Sequence, residues 1–116
     1  MTGPQRIEPP APVFTQSYDL YAWLLDRLAD APSARTAPAL EHAQHLLDAV
    51  TLALRGSAID RRLDEAQQAI VLLGVHLRVL NDAEVLCDRQ ALHAHGLLRS
   101  IGRQVGGWQR QRRRRA

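Results

Sequence analysis

Arginines are the side chains of this chain best placed to do chemistry: Arg99, Arg103 and Arg110, then the unbroken run Arg112, Arg113, Arg114 and Arg115. A guanidinium presents N–H donors in a planar fork that matches phosphate bidentately, so a row of them at helical spacing suits a polyanion. At about 100° per residue, Arg99, Arg103 and Arg110 fall within roughly 40° of one another on one side of a helix. On the opposite side Ala91, Ala94, Leu98, Ile101, Val105 and Trp108 recur at alternating steps of three and four, a seam for partner helices. Charge follows the same division. Residues 89–116 hold eight arginines and no acid, whereas residues 1–88 hold seven arginines and twelve acids. An arginine run alone can be a solvated end or counter-charge for an acidic surface. A stripe that continues from a helix into such a run is the footprint expected for nucleic acid.

Other candidates weigh less. His42 and His45 stand three apart on one helix, and His76, His93 and His95 can approach them. A di-iron bundle, however, needs inward carboxylates and a Glu-x-x-His spacing, and no glutamate stands three before any histidine. No metal and no other cofactor is expected. Cys87 is the only cysteine, which excludes an intrachain disulfide, points to a reducing compartment and leaves no base placed to activate it. No phosphate-binding glycine loop is present, and no catalytic residue is assigned. Arg78, in HLRVL, needs a partner or a wet surface; Asp82 or Glu84 can serve it as well as a bound anion can. Gly102 and Gly106 lie between the apolar seam and the arginine stripe. Their absent side chains suit either close approach of another chain in an oligomer or a fraying helix end.

These residues need helices to position them. The 116-residue chain, 46% hydrophobic but only 4% aromatic, has length for one domain whose core is built from alanine and leucine, which suits packed helices. Every cation is arginine, a bias that base composition produces as readily as selection for phosphate binding. Residues 1–13, rich in proline, read as a flexible arm, and nothing there resembles a signal peptide. The first helix is expected from a Thr15 or Ser17 cap to Ala31, with Phe14, Tyr18, Tyr21, Leu25 and Leu28 as its core stripe. The second runs from about Ala37, capped by Thr36, to Arg55, with Leu40, Ala43, Leu47, Val50 and Leu54 inward and Gly56 as its left-handed stop. The third, capped by Ser57, carries Ile59, Leu63, Ala66, Ile70, Leu73, Leu77 and Leu80, and ends at Asn81 and Asp82. The fourth starts at an Asp88 cap. Short links and spacings near 3.5 residues predict an all-α fold, an antiparallel up-down four-helix bundle over residues 14–111, with a basic tail at 112–116. The most apolar run, Ala69 to Leu77, is too short to span a bilayer, so a cytoplasmic protein without membrane contact is expected.

The order of the helices, the segment LLGVHLRVL closing the third and above all IGRQVGGWQRQRRRR closing the fourth resemble the accessory variability determinant (Avd) proteins of diversity-generating retroelements. The resemblance covers roughly residues 14–112, and its specific part is the pair Gly102 and Arg103 with Gly106 and Trp108. It implies a non-catalytic four-helix bundle related to the proteins of ribosomal intervening sequences. It further implies assembly into a homopentamer with a basic surface, which binds the element's reverse transcriptase and its template RNA in support of mutagenic retrohoming. Arg78 and Arg103 match basic, functional positions of that family. One turn before Arg78 the family can have a further arginine, where Gly74 stands in this chain. The alternatives are a four-helix protein of the ribosomal intervening-sequence type, and a structural helical adaptor that binds acidic partners.

Overall fold

Four α-helices account for most of residues 11–115, the part of the chain that the computed structural model describes: α1 (Pro12–Arg27), α2 (Ser33–Leu54), α3 (Ile59–Asp82) and α4 (Asp88–Arg115). Among the described residues there is no strand, and no helix is long and apolar enough to cross a membrane. Most of the expected arm, residues 1–10, lies outside the described residues; Pro12 and Val13 belong to α1. α2 packs beside α1 and α3, and α4 beside α1 and α3, so that α1 and α3 stand diagonally, as do α2 and α4, around one shared core.

That core is aliphatic. α3 supplies Leu63, Ala66, Ala69, Leu73, Leu77 and Leu80, and α4 supplies Ala94, Leu98, Ile101 and Val105. α2 contributes Ala39, Ala43, Leu46, Ala49, Val50 and Ala53, so its inner face is mostly alanine and lets neighbouring helices approach closely. On α1 the buried set is Val13, Ser17, Leu20 and Leu24, continued by Leu28. The expected stripe was a residue out of register there: Tyr18 and Leu25 are exposed, and Phe14 and Tyr21 only half-buried. The Ser17 hydroxyl is buried without loss in this register because it donates to the Val13 carbonyl oxygen at 2.7 Å.

The helix starts also differ from expectation. α1 begins at Pro12, whose fixed φ suits the first helical position, rather than behind a Thr15 or Ser17 cap. α2 begins at Ser33, so Thr36 is a buried residue of the early helix and Pro38 lies inside it. Ala58, at φ 49°, precedes α3 in place of a capping Ser57. The stop of α1 differs as well, since the helix ends at Arg27 rather than at Ala31, whereas those of α2 and α3 fall where expected. Gly56, at φ 83°, closes α2 with its N–H donating to Ala53 and that of Ser57 to Leu52. Glu84, at φ 62°, repeats this closure after α3, with Glu84 and Val85 N–H groups donating to the carbonyls of Asn81 and Leu80.

Candidate nucleic-acid interface

α4 is fixed at both ends before it presents any charge. At its start the Cys87 N–H donates to Gln90 Oε1 at 3.0 Å, and Asn81 Nδ2 donates to Asp88 Oδ1 at 2.9 Å and to the Leu86 carbonyl at 3.1 Å. Gln90 thereby caps from within the first turn, as a capping-box glutamine does. Along its flank Ser100 Oγ and Gln104 Nε2 both donate to Gln16 Oε1 of α1, at 2.9 and 2.6 Å. At its far end Gln109 Nε2 donates to Asp64 Oδ1 at 3.0 Å while Gln67 Nε2 donates to Gln109 Oε1 at 3.1 Å. Arg112 Nε donates to Asp60 Oδ1 at 2.5 Å. The acidic first turns of α3 thus hold the last turns of α4, and residues 112–115 continue the helix instead of leaving it as a separate tail. Cations in a last turn also sit well against the helix dipole.

With Ala91, Ala94, Leu98, Ile101 and Val105 buried as the spacing predicts, the outer face carries Arg99, Arg103, Arg110, Arg113 and Arg114, and these and Arg115 at the helix end are all exposed. Among the described residues none of these six is in an ion pair; Arg112 alone on this helix is, with Asp60. Its N–H bond holds the Asp60 carboxyl below its ordinary pKa, and the same contact raises that of Arg112. Arg112 is therefore first a strut between helices. Arg78 is exposed too, on α3, and pairs with neither Asp82 nor Glu84. It lies one turn beyond Gly74, where an added Cβ would meet Leu98 Cδ2 of α4 at 3.6 Å, so it borders the α3–α4 side of the molecule.

A shallow groove of about 460 Å³ runs along that side, lined by Gln67, Ile70, His95, Leu98, Arg99 and Gly102. Gly102 forms part of its floor. A Cβ there would stand 3.9 Å from Ile70 Cγ2, and one at Gly106 would stand 3.5 Å from Arg110 Nη1 and 3.8 Å from Gln67 Nε2. The Arg110 guanidinium folds back over Gly106 and Gly107. Trp108 is half-buried against the core rather than displayed for stacking. No family model, curated protein or solved structure matches the chain. The chemistry must therefore be read from the geometry. Unpaired guanidiniums along a rigid helix, beside a groove whose lining holds the His95 imidazole but no Phe, Tyr or Trp, suit a phosphate backbone better than a base.

The histidines are placed elsewhere. His93 lies against Trp23 with ring centroids 4.9 Å apart and planes tilted by 50°, and His42 lies 5.1 Å from His76 and 6.3 Å from His45. Among the described residues no group of three His, Cys, Asp or Glu is arranged to hold a metal ion. His42 and His45 instead line a pocket of about 360 Å³ between α2 and α3, with Asp48, Arg62 and Glu65. The sequence reading missed this pocket, because its polar residues come from two helices whose pairing only the folded chain reveals. Arg62 there donates to Glu65 at 3.1 Å and keeps a buried Nε without a partner. Desolvation, followed by the nearness of His76, lowers the His42 pKa, with Glu41 opposing and His45 adding. An unfolded chain thus takes up this proton at higher pH than the folded one. Stability is complete above the ordinary histidine range, about 6.5, and falls as pH drops through it. Denaturant midpoints measured from pH 7.5 to 5 should therefore decline, and His42→Gln should flatten the decline.

Proposed function

We propose that this chain is a non-catalytic accessory protein of a diversity-generating retroelement, which binds template RNA and a reverse transcriptase in the cytoplasm. The observation that carries the reading is the row of exposed, unpaired arginines on the outer face of α4. The resemblance of IGRQVGGWQRQRRRR to the accessory proteins of these elements supplies the biological partner. The fold belongs to the same reading: an antiparallel up-down four-helix bundle. Supporting it is the reversed order of contacts from α3 to α4, in which Asp60 meets Arg112, Gln67 meets Gln109, and Asn81 meets Asp88. Assembly as a homopentamer is part of the proposal, with the half-exposed glycine floor at Gly102 and Gly106 as a place of close approach.

Fluorescence anisotropy with labelled RNA tests the binding. Affinity should fall linearly on a log-log plot against salt, because neutralised phosphates release counterions, and sequence preference should be slight. A reverse-transcriptase gene beside this one, and co-purification with its product, test the partner, and Arg103→Ala should weaken the co-purification. No detectable RNA binding at low salt would overturn the reading in favour of an adaptor for acidic proteins.

A further inference from the structure

α3 carries an apolar stripe that nothing in the chain covers. Val71, Val75 and Val79, four residues apart along one line, are 64%, 54% and 53% exposed, with Leu72 at 45% beside them. A second uncovered stripe runs along α1. Tyr18 and Leu25 are 55% and 45% exposed, Phe14 lies 6.1 Å from the Tyr18 ring, and Ala22 and Ala29 are exposed next to them. Single exposed apolar residues need no explanation, but contiguous stripes do. These two stand on helices that face each other diagonally across the core.

Charges of opposite sign border them on matching edges. At about 100° per residue, Arg78 borders the α3 stripe on the edge nearer α4, the side where Gly74 meets Leu98. Asp19 and Asp26 border the α1 stripe on its edge nearer α4, the side where Gln16 meets Ser100 and Trp23 meets His93. Within the chain Arg78 and Asp19 make no ion pair, and Asp26 pairs only with the adjacent Arg27.

We infer that the α3 stripe of one copy seats on the α1 stripe of a second copy, with Arg78 opposite Asp19 and Asp26 of that copy. Two different faces meet, so the contact is heterologous: each addition leaves one α1 stripe and one α3 stripe free, and growth stops only when a ring closes. α4 lies to one side of the line joining α1 and α3, and α2 to the other. Every copy in such a ring therefore turns its arginine face to the same wall, which multiplies the charge a polyanion meets. This deepens the assembly proposed above and rests on that reading for the partner being a second copy of the chain.

Two variants test it, Val75→Arg on α3 and Tyr18→Arg on α1, both at exposed positions, with circular dichroism to confirm unchanged helix content. By analytical ultracentrifugation the wild type should be oligomeric and each variant alone monomeric. An equimolar mixture should form a one-to-one dimer and nothing larger, joined through the intact α1 stripe of one variant and the intact α3 stripe of the other. A wild-type chain that stays monomeric at tens of micromolar, or a mixture that stays monomeric, overturns the inference. So does a Tyr18→Arg variant that still dimerises alone, since the α3 stripe would then pair with itself. If Val75→Arg loses helix, Val75→Ala with Val79→Ala replaces it and should weaken assembly at least tenfold. RNA titrations on the same proteins separate the two readings: assembly as described without RNA binding defeats the RNA-binding proposal alone, and RNA binding by a strictly monomeric wild type defeats this inference and the homopentamer while leaving the RNA-binding proposal standing.

Discussion

Replacing Arg99, Arg103 and Arg110 together with alanine should lower the slope of log affinity against log salt by about 2 for single-stranded RNA and by nearly ~3 for a duplex. Each of these side chains is exposed and without an acidic partner, so each is free to neutralise a phosphate at no cost to the fold. Helix content should barely change, because the opposite face of α4 holds it to the core. Arg112→Ala should behave differently. Its guanidinium already serves Asp60, whose carboxyl pKa this bond lowers, so its removal should alter the slope by well under the roughly 0.7–0.9 expected of one free arginine. The change should instead loosen the end of α4, visible as faster amide exchange at residues 109–115. Anisotropy titrations across a salt series decide the matter. A triple variant with the wild-type slope would show that the outer face of α4 is not where phosphate binds.

α4 was the most legible part of the chain. Its inner positions are small or aliphatic and its outer positions are mostly polar or glycine, with the exposed Leu92 as the exception, and the seam from Ala91 to Val105 is buried as its spacing predicts. α3 was nearly as clear, with Leu63, Ala66, Leu73, Leu77 and Leu80 buried; Ile59 and Ile70 end up only half-buried at its edges. α2 was harder because alanines carry little hydrophobic signal. Leu54, expected inside, is exposed, and Ala39, Ala49 and Ala53 are buried. The division of arginines between free and paired was not legible at all. Arg112 differs from its neighbours only in facing Asp60, and that contact spans 52 positions of the chain. Helix starts were misplaced for a related reason: Pro12 and Ser33 begin helices without any capping side chain, and polar caps were the signal used to find them. Glycine at position 56 could be recognised because a left-handed stop favours it, whereas Glu84 takes the same conformation with no sequence cue.

The register of α1 gives the second large effect. Leu24→Ala should destabilise the protein by about 2–5 kcal/mol, and Leu25→Ala by less than about 1 kcal/mol. These neighbours have the same chemistry and the same helix propensity cost, so the difference isolates burial. Leu24 is wholly buried in the cluster that includes Leu20 and Leu28, and removing its side chain opens a cavity. Neighbouring alanines on α2 cannot reach in to fill it, which places the expected cost toward the upper part of that range. Leu25 is 45% exposed, and its loss removes little buried surface. Urea unfolding of dilute protein, where assembly does not add to the apparent stability, provides the comparison. Equal costs, or a larger one for Leu25, would mean that α1 is rotated by about 100° from the orientation described, with Tyr18 and Leu25 inside. The uncovered stripe on α1 would then disappear, and with it half of the proposed contact between copies.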